Sequence, residues 1–226
     1  MSNPEQAPAQ SAAPDTADDH HSNLAPFRLL LVRHGQSTWN AERRIQGQLD
    51  PPLSVRGVAQ ACELAERLRG HRLAGFYCSD LTRTRQTAEL IAGTVEAEPV
   101  PDRGLREIML GEWEGKTRDE LIAEYPDLWA RWAEEPDWDI VPGAEGARPF
   151  AHRVTATLAR LRERHRHGDV LCVTHGGVIH VGLLDVLSRP SRGIFPFLIE
   201  NCSLTVIQHA NGRAVVTKVN DTCHLS

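Results

Sequence analysis

A histidine stands at the end of an apolar run near the start of the chain, between an arginine and a glycine. The run Leu29–Val32 leads directly into Arg33, His34 and Gly35. A neutral imidazole is a nucleophile, and a guanidinium binds phosphate through paired hydrogen bonds. These residue types in this order point to phosphoryl chemistry, although a chance Arg-His-Gly in a loop gives the same tripeptide.

A second apolar run ends in the same way, because residues 169–174 lead into His175 and Gly176. Open α/β sheets bind their ligands at the carboxyl ends of the strands. If the two runs are neighbouring parallel strands, His34 and His175 meet in one crevice. One imidazole is then placed to attack a phosphorus atom and the other to bind the phosphoryl group.

Apolar spacing predicts that strands alternate with helices along most of the chain. Ser54 is a suitable N-cap for the first long helix, and Pro126 is expected to interrupt a later one. The predicted strands span 27–32, 73–78 and 169–174, and the predicted helices span 54–69, 81–91, 117–132, 148–165 and 178–187.

The C-terminal part contains two β-rich runs, 203–209 and 213–218, separated by Ala210, Asn211 and Gly212. Asn-Gly between two such runs is a strong hairpin signal. Together with the alternating strands and helices, this pattern predicts an α/β fold, namely a three-layer α/β/α sandwich with a mostly parallel sheet. The terminal hairpin supplies its antiparallel portion.

Length and composition indicate one catalytic domain over residues 27–226, because 226 residues with 41% hydrophobic content can bury a single large core. Residues 1–26 hold four acidic side chains, no Lys or Arg and no aromatic residue, so we expect a disordered acidic tail. Of the formal charge of −5, about −1 remains for the folded part. Net charge therefore gives no support for nucleic-acid binding.

The chain shows no signal-peptide pattern and no apolar run of about 20 residues that could span a bilayer. An odd number of cysteines without a CxxC pair favours reduced thiols, and Cys172 lies inside an apolar run where core packing is expected. These observations predict a cytoplasmic protein without membrane partners. The five cysteines are Cys62, Cys78, Cys172, Cys202 and Cys223.

Several further motifs follow the first histidine in a characteristic order. The six segments are Arg33-His34-Gly35; Gln46-Gly47 with Asp50, Pro52, Leu53 and Ser54; Ser79 to Ala88; Leu105-Arg106-Glu107 with Gly111, Trp113, Glu114 and Gly115; Thr174-His175-Gly176-Gly177; and Asn201-Cys202-Ser203. In these segments, the chain resembles the histidine phosphatase superfamily, which contains the phosphoglycerate mutases and many phosphatases. The resemblance extends from residue 27 to about residue 220 and implies a phosphoglycerate mutase-like fold.

The resemblance implies a role for each of five catalytic residues. His34 would attack phosphorus and form a phosphohistidine, while Arg33 and Arg83 would bind the phosphoryl oxygens. His175 would donate a hydrogen bond to the transferring group, and Glu107 would protonate the leaving oxygen. Arg83 is preferred to Arg85 because it fits the family spacing Leu-x-Arg-x-x-x-Thr, although both arginines lie in one helical turn.

Four further residues are expected to bind substrate. Asn40 occupies the family position whose side-chain amide donates to phosphate, although a capping or loop-stabilising role is also open. Gln46 is expected to reach the substrate from the loop after the nucleophile. Gly35 and Gly176 would let the backbone approach the substrate closely, although either could simply end a strand.

No metal or cofactor is expected, since arginine and histidine supply the positive charge and the eleven histidines form no HExxH pattern. The expected partner is a small phosphorylated metabolite, and a homodimer is possible. The cofactor-dependent mutases carry Glu-Arg-His-Tyr-Gly at the acid and Ala-His-Gly-Asn at the second histidine. This chain has Arg106-Glu107-Ile108-Met109 and His175-Gly176-Gly177 instead, which favours a phosphatase. A mutase and a non-catalytic phospho-ligand binding module are the alternatives.

Overall fold

A six-stranded sheet forms the centre of the protein, for which a computed structural model describes residues 25–193 and 196–225. The strands lie in the order β3-β2-β4-β1-β5-β6. Strands β3, β2, β4 and β1 are parallel, β5 runs antiparallel to β1, and β6 runs antiparallel to β5. The strands are β1 (Phe27–Arg33), β2 (Gly75–Cys78), β3 (Val100–Pro101), β4 (Gly168–Thr174), β5 (Leu204–Ala210) and β6 (Arg213–Asp221).

Seven α-helices of the described chain flank this sheet, so the mixed α/β sandwich predicted from the sequence is confirmed. Three short 3-10 helices, Arg103–Leu105, Gly111–Trp113 and Trp138–Ile140, lie between β3 and the sixth helix. The α-helices are α1 (Thr38–Ala41), α2 (Val55–Arg67), α3 (Thr82–Val95), α4 (Arg118–Glu124), α5 (Pro126–Glu134), α6 (Ala147–His165) and α7 (Gly176–Val186).

The two faces of the sheet carry separate apolar cores. Leu29 and Leu31 of β1 face the core that contains α6 and α7, whereas Leu30 and Val32 face the core that contains α2 and α3. This alternation follows from the two-residue period of a strand. Because both faces are covered, the middle of β1 is apolar, and Leu29 to Val32 form an unbroken apolar run in the sequence.

Local signals in the sequence set several element boundaries. The Ser54 side chain caps α2 by accepting from the Gly57 N–H at 3.1 Å, and Pro126 begins α5 after α4 has ended. Ala210 pairs with Arg213 across a two-residue turn, in which Asn211 and Gly212 have φ angles of 51° and 73°. These left-handed conformations explain why Asn-Gly stands there.

Other boundaries differ from the sequence-based expectations. Strand β2 begins at Gly75, α3 continues to Val95, and α7 begins at Gly176, directly after His175. The short elements α1 and β3 were not predicted, because four and two residues are too few for a periodic pattern. The predicted tail of residues 1–26 falls almost wholly outside the described residues.

Four tryptophans between β3 and α6 pack against one another. Trp113 lies 5.7 Å from Trp129 and 5.6 Å from Trp132, measured between ring centroids, and Trp132 lies 5.4 Å from Trp138. Trp113 and Trp138 are buried. This cluster anchors the segment before α6 to the core that contains α6 and α7.

All five cysteines fall within the described residues and are free thiols. Cys172 is fully buried in β4, as its apolar neighbours predicted, and burial holds the pKa of its thiol far above the usual range. Of the helices that the structure describes, none is long and apolar enough to cross a membrane.

Candidate active site

The register of β1 and β4 brings the two histidines to the same edge of the sheet. Arg33 is paired with Thr174 in the parallel ladder, and the His34 N–H donates to the Thr174 carbonyl at 2.9 Å. His34 and His175 therefore follow neighbouring strands at one level. Their ring centroids lie 5.2 Å apart, which meets the condition for a shared crevice.

His34 is buried, and its ring is held by one hydrogen bond. Nδ1 lies 2.7 Å from the Gly35 carbonyl oxygen. A carbonyl can only accept, so Nδ1 carries the proton and Nε2 keeps its lone pair. Burial, and then the charges of Arg83 and Arg33, lower the pKa of His34 well below 6.5. At neutral pH the ring is therefore uncharged, with the lone pair of Nε2 unoccupied by a proton.

His175 is the N-cap residue of α7 and is fully buried. Its Nε2 lies 3.0 Å from the Ser79 hydroxyl oxygen. Its Nδ1 is also buried and has no hydrogen-bond partner in the described part of the chain. Burial lowers the pKa of His175 well below 6.5, and the charges of Arg83, His34 and Arg33 lower it further.

Arg83 lies in the first turn of α3 with only 1% of its surface exposed. Nη1 donates to the Leu49 carbonyl and Nη2 to the Gly47 carbonyl, both at 2.8 Å. Burial lowers the pKa of Arg83 to about 10, so the guanidinium stays charged at neutral pH. Arg85, by contrast, is exposed and pairs with Glu89 at 3.7 Å.

Arg33 reaches the same crevice from the last position of β1. Its Nη1 donates to the Ile199 carbonyl at 2.6 Å, and its Nε lies 3.9 Å from the position that a Cβ on Gly176 would take. Both Arg33 and Arg83 lower the pKa of His34 and of His175, as expected for two cations beside the same pair of rings.

Three buried nitrogen atoms of these side chains have no hydrogen-bond partner among residues 25–193 and 196–225. They are Arg33 Nε, Arg83 Nε and His175 Nδ1, which we call the donor trio. An unsatisfied buried donor costs about 1–3 kcal/mol. Such donors are retained where a ligand accepts from them, and two guanidinium groups beside an imidazole fit a tetrahedral oxyanion.

The Glu107 carboxylate meets the N-terminal end of α7. Its Oε2 accepts from the Gly177 N–H at 3.1 Å, and its Oε1 accepts from the Ile108 N–H at 3.0 Å. Two backbone donors on separate segments thus fix the carboxylate next to the His175-Gly176 turn. The structure thus places the Glu107 carboxylate at the start of α7, two residues beyond His175.

The backbone that presents Glu107 is bound by Arg153 of α6. Nη1 donates to the carbonyls of Gly104 at 3.1 Å and Arg106 at 2.9 Å, and Nη2 donates to the carbonyl of Glu107 at 3.2 Å. Glu145 completes the arrangement by accepting from Arg153 Nε and Nη2, both at 2.8 Å. We refer to this pair as the Arg153–Glu145 clamp.

Asn40 has the capping role that was considered for it. Its Oδ1 accepts from the Ser37 N–H at 3.1 Å in the capping box of α1, and from Asn201 Nδ2 at 3.3 Å. Asn201 Nδ2 also donates to the His34 carbonyl at 2.9 Å. Because Oδ1 is occupied, the amide nitrogen of Asn40 is the group left for a ligand.

Gln46 is connected to this loop through Ser37. Its Oε1 accepts from the Ser37 hydroxyl at 2.8 Å. The side chain of Gln46 therefore supports the segment between His34 and α1. As with Asn40, its amide nitrogen is the group that remains for a substrate.

The space around the glycines of the two histidine motifs differs from one glycine to the next. A Cβ on Gly35 would overlap the Gly57 carbonyl, so Gly35 allows the loop to pack on α2. A Cβ on Gly176 would meet no described atom closer than 3.9 Å. A Cβ on Gly177 would overlap Glu107 Oε1. Close approach is therefore required at Gly177, which the sequence analysis did not select.

Ser79, Asn201 and Arg153 are further residues of the site to which the sequence analysis assigned no role. Ser79 and Asn201 stand inside recognised motifs, which was a usable signal. Arg153 stands in a helix with many arginines, and no pattern in the sequence distinguishes it. Within the described residues, no three His, Cys, Asp or Glu side chains are grouped to hold a metal.

Comparison with known proteins agrees with this geometry. Residues 29–222 match the family model of the histidine phosphatase superfamily (branch 1). The match covers most of the chain, and the protein belongs to this superfamily, whose members similar to this chain are phosphatases and phosphoglycerate mutase-like enzymes.

Two curated relatives illustrate the range of activities. Phosphoserine phosphatase 1 from Hydrogenobacter thermophilus is 36% identical over 198 residues, which is 88% of this chain and 94% of the relative. The probable phosphoglycerate mutase GpmB from Salmonella choleraesuis is 34% identical over 205 residues, covering 88% of this chain and 95% of the relative.

Solved structures show the same fold. YhfR from Bacillus stearothermophilus superposes with a TM-score of 0.81 at 32% identity, covering 88% of this chain and all of that chain (100%). A phosphoserine phosphatase from Entamoeba histolytica, solved as a mutant in complex with phosphoserine, superposes with a TM-score of 0.77 at 28% identity. That match covers 88% of this chain and 100% of the other.

Proposed function

We propose that the protein hydrolyses a small phosphorylated metabolite, a phosphomonoester, through a phosphohistidine on His34 and without a metal ion. The observation that carries the proposal is the donor trio beside the unprotonated Nε2 of His34. A phosphoryl group bound by these three N–H groups has its phosphorus next to a neutral nucleophile. The two guanidinium charges take the place that a metal ion has in other phosphoryl transfer enzymes.

In the first step His34 Nε2 attacks phosphorus, and the bond from phosphorus to the ester oxygen breaks. Arg33, Arg83 and His175 donate to the non-bridging oxygens, on which negative charge is spread in the transition state. Glu107 gives its proton to the departing oxygen, so the product leaves as an alcohol. The Nδ1–H bond to the Gly35 carbonyl stabilises the positive charge that the ring acquires.

In the second step water attacks the phosphohistidine. Glu107, now a carboxylate, accepts a proton from this water, and the bond between phosphorus and Nε2 breaks. Inorganic phosphate leaves, His34 is again neutral, and Glu107 is again protonated. One group thus serves as acid and then as base, which balances protons over the cycle.

The substrate class follows from the relatives and from the sequence around the acid. A relative at 36% identity is named a phosphoserine phosphatase, so L-phosphoserine is the first compound to test. A mutase is the second candidate, because a relative at 34% identity is named a probable phosphoglycerate mutase. The segment from Arg106 to Met109 lacks the mutase stretch at the acid, which favours hydrolysis.

The test is an assay of the full chain, free of metal, on L-phosphoserine, 3-phosphoglycerate, a sugar phosphate and an aryl phosphate. Phosphate release and 2-phosphoglycerate formation are followed together, with and without 2,3-bisphosphoglycerate. We expect phosphate release without isomerisation, and a loss on the order of 10⁴-fold or more in His34→Ala. Isomerisation stimulated by the bisphosphate would establish a mutase instead, and phosphate binding without turnover would establish a binding module.

The role of Glu107 is tested by the dependence on the leaving group. Glu107→Gln keeps the shape of the side chain but cannot deliver a proton. We expect kcat to fall by about 10²–10⁴-fold on an alkyl phosphomonoester and by much less on an aryl phosphate, whose leaving group needs no proton. Equal losses on the two substrates would contradict a role as general acid.

A further inference from the structure

We infer that Ser79 is a positioning residue that fixes the tautomer of His175, so that the ring turns its Nδ1–H toward the phosphoryl group. The inference deepens the proposed function and rests on it for the identity of the ligand. The observation behind it is the 3.0 Å contact between the Ser79 hydroxyl and His175 Nε2. Both residues are fully buried.

Ser79 is rigidly placed to hold the ring. It follows β2, and its N–H donates to the Val173 carbonyl of β4 at 3.0 Å. Its own carbonyl accepts from the Thr84 hydroxyl at 2.8 Å, which ties it to the first turn of α3. The hydroxyl of Ser79 is thus fixed across one strand spacing from His175, which follows β4.

The other hydrogen bond of the Ser79 hydroxyl indicates which group donates in its contact with His175. The Leu81 N–H donates to the Ser79 Oγ at 3.4 Å, so that oxygen already accepts. Within the structure as described, His175 Nε2 is the one acceptor recorded for the hydroxyl proton of Ser79. Ser79 therefore donates to Nε2. A neutral imidazole has a single N–H, so the proton of the ring lies on Nδ1.

The charge of the ring agrees with this assignment. Burial and the neighbouring arginines oppose a second proton on His175, because they lower its pKa. The resting ring is therefore neutral, and only one of its two tautomers carries its proton on Nδ1. The other tautomer would point a lone pair at a phosphoryl oxygen, and these two groups repel. Ser79 selects the donating tautomer before substrate arrives.

Nitrogen NMR of histidine-labelled full-length protein tests the assignment directly. The His175 signals are identified by their loss in His175→Gln. In the resting protein we expect a protonated Nδ1 and an unprotonated Nε2, and we expect the Nδ1–H signal to shift when inorganic phosphate is added. A protonated Nε2 would overturn the inference.

Two variants distinguish a change in the tautomer of His175 from a general disturbance of the structure. In Ser79→Ala we expect a mixture of tautomers and a fall in kcat of about tenfold with a smaller change in KM. Thr84→Val is the matched control, since it removes the hydroxyl that binds the Ser79 carbonyl and leaves the ring contact intact. We expect it to keep the single tautomer. An unchanged His175 spectrum in Ser79→Ala would overturn the role of Ser79.

The NMR readout is independent of turnover, so the two proposals fail separately. A protein that hydrolyses no phosphomonoester would overturn the proposed function, whatever tautomer His175 has. An active enzyme with a protonated Nε2 would overturn the role of Ser79 alone. The tautomer is read from the unmodified protein, and His175→Gln serves only to assign the signals.

Discussion

At the scale of single residues, the two histidines of the site carry their proton on the same nitrogen for different reasons. In His34 the Nδ1–H donates a hydrogen bond to a carbonyl, so the ring presents the lone pair of Nε2. In His175 a hydroxyl donates to Nε2, so the ring presents Nδ1–H. One imidazole becomes a nucleophile and the other a donor, and the partner behind each ring makes the difference.

The adjacent glycines Gly176 and Gly177 at the start of α7 differ in the space that each leaves for a Cβ atom. Gly177→Ala places a Cβ against Glu107 Oε1 and pushes the carboxylate off the backbone N–H. We expect kcat on an alkyl phosphomonoester to fall by about 10²-fold, because displacing a catalytic group by an ångström has that effect. Gly176→Ala is the control, since its Cβ meets nothing closer than 3.9 Å among the described atoms, and its loss should be smaller. The opposite order in steady-state kinetics would show that the backbone at Gly176 is the critical contact.

At the scale of elements, helix α6 controls the segment that carries the acid. Arg153 binds three backbone carbonyls of one short segment, those of Gly104, Arg106 and Glu107. The Thr174 hydroxyl ties the same segment to β4 through the Leu105 carbonyl at 2.8 Å. The loop before Glu107 is therefore fixed by a helix on one side and a strand on the other.

Removing the Arg153–Glu145 clamp should impair the acid without touching the nucleophile. Arg153→Met leaves several carbonyls and Glu145 without their donors, and we expect the free energy of unfolding to fall by about 2–3 kcal/mol. The matched variant Arg160→Met removes a half-exposed arginine of the same helix, which pairs with Asp102. It should change stability by about 0.5 kcal/mol or less.

Urea unfolding measures the stability of both clamp variants, and kinetics on two leaving groups measure the acid. In Arg153→Met we expect the loss on an alkyl phosphomonoester to exceed the loss on an aryl phosphate, as in Glu107→Gln. Equal losses on both esters would mean that the clamp supports the whole pocket rather than Glu107.

At the scale of the whole molecule, the two buried histidines make the stability of the fold depend on pH. His34 and His175 are neutral in the folded protein because their pKa values are lowered, chiefly by burial. In the unfolded chain a histidine has its ordinary pKa of about 6.5. As pH falls below that value, the unfolded chain binds protons that the folded protein does not, so stability decreases.

We therefore expect the free energy of unfolding to decrease between pH 7 and pH 5. For each buried histidine the limiting slope is about 1.4 kcal/mol per pH unit below pH 6.5. Urea titrations at several pH values measure the slope. His175→Gln should reduce it, whereas His152→Gln, which removes an exposed imidazole, should not. A stability that is flat over this range would show that the buried rings are charged in the folded state.

Much of this architecture could be predicted from the sequence. Strand β1 carries the unbroken apolar run Leu29 to Val32 because both faces of the sheet are covered, and Asn211 with Gly212 defines the final hairpin. His34 and His175 were found because each follows an apolar run, and Glu107 because it stands in a family motif. These signals are local, extending over one strand, one helical turn or one tight turn. The expected tail, homodimer and cytoplasmic location stay predictions.

Contacts between distant parts of the chain were decided only by the tertiary structure. Glu107 meets Gly177 across 70 positions, and Ser79 meets His175 across 96. Such contacts depend on the strand order that places β4 between β2 and β1, and no local pattern encodes that order. The sequence determined which residue types stand at the ends of the strands. The packing of strands and helices determined which nitrogen, oxygen and backbone group each of them faces.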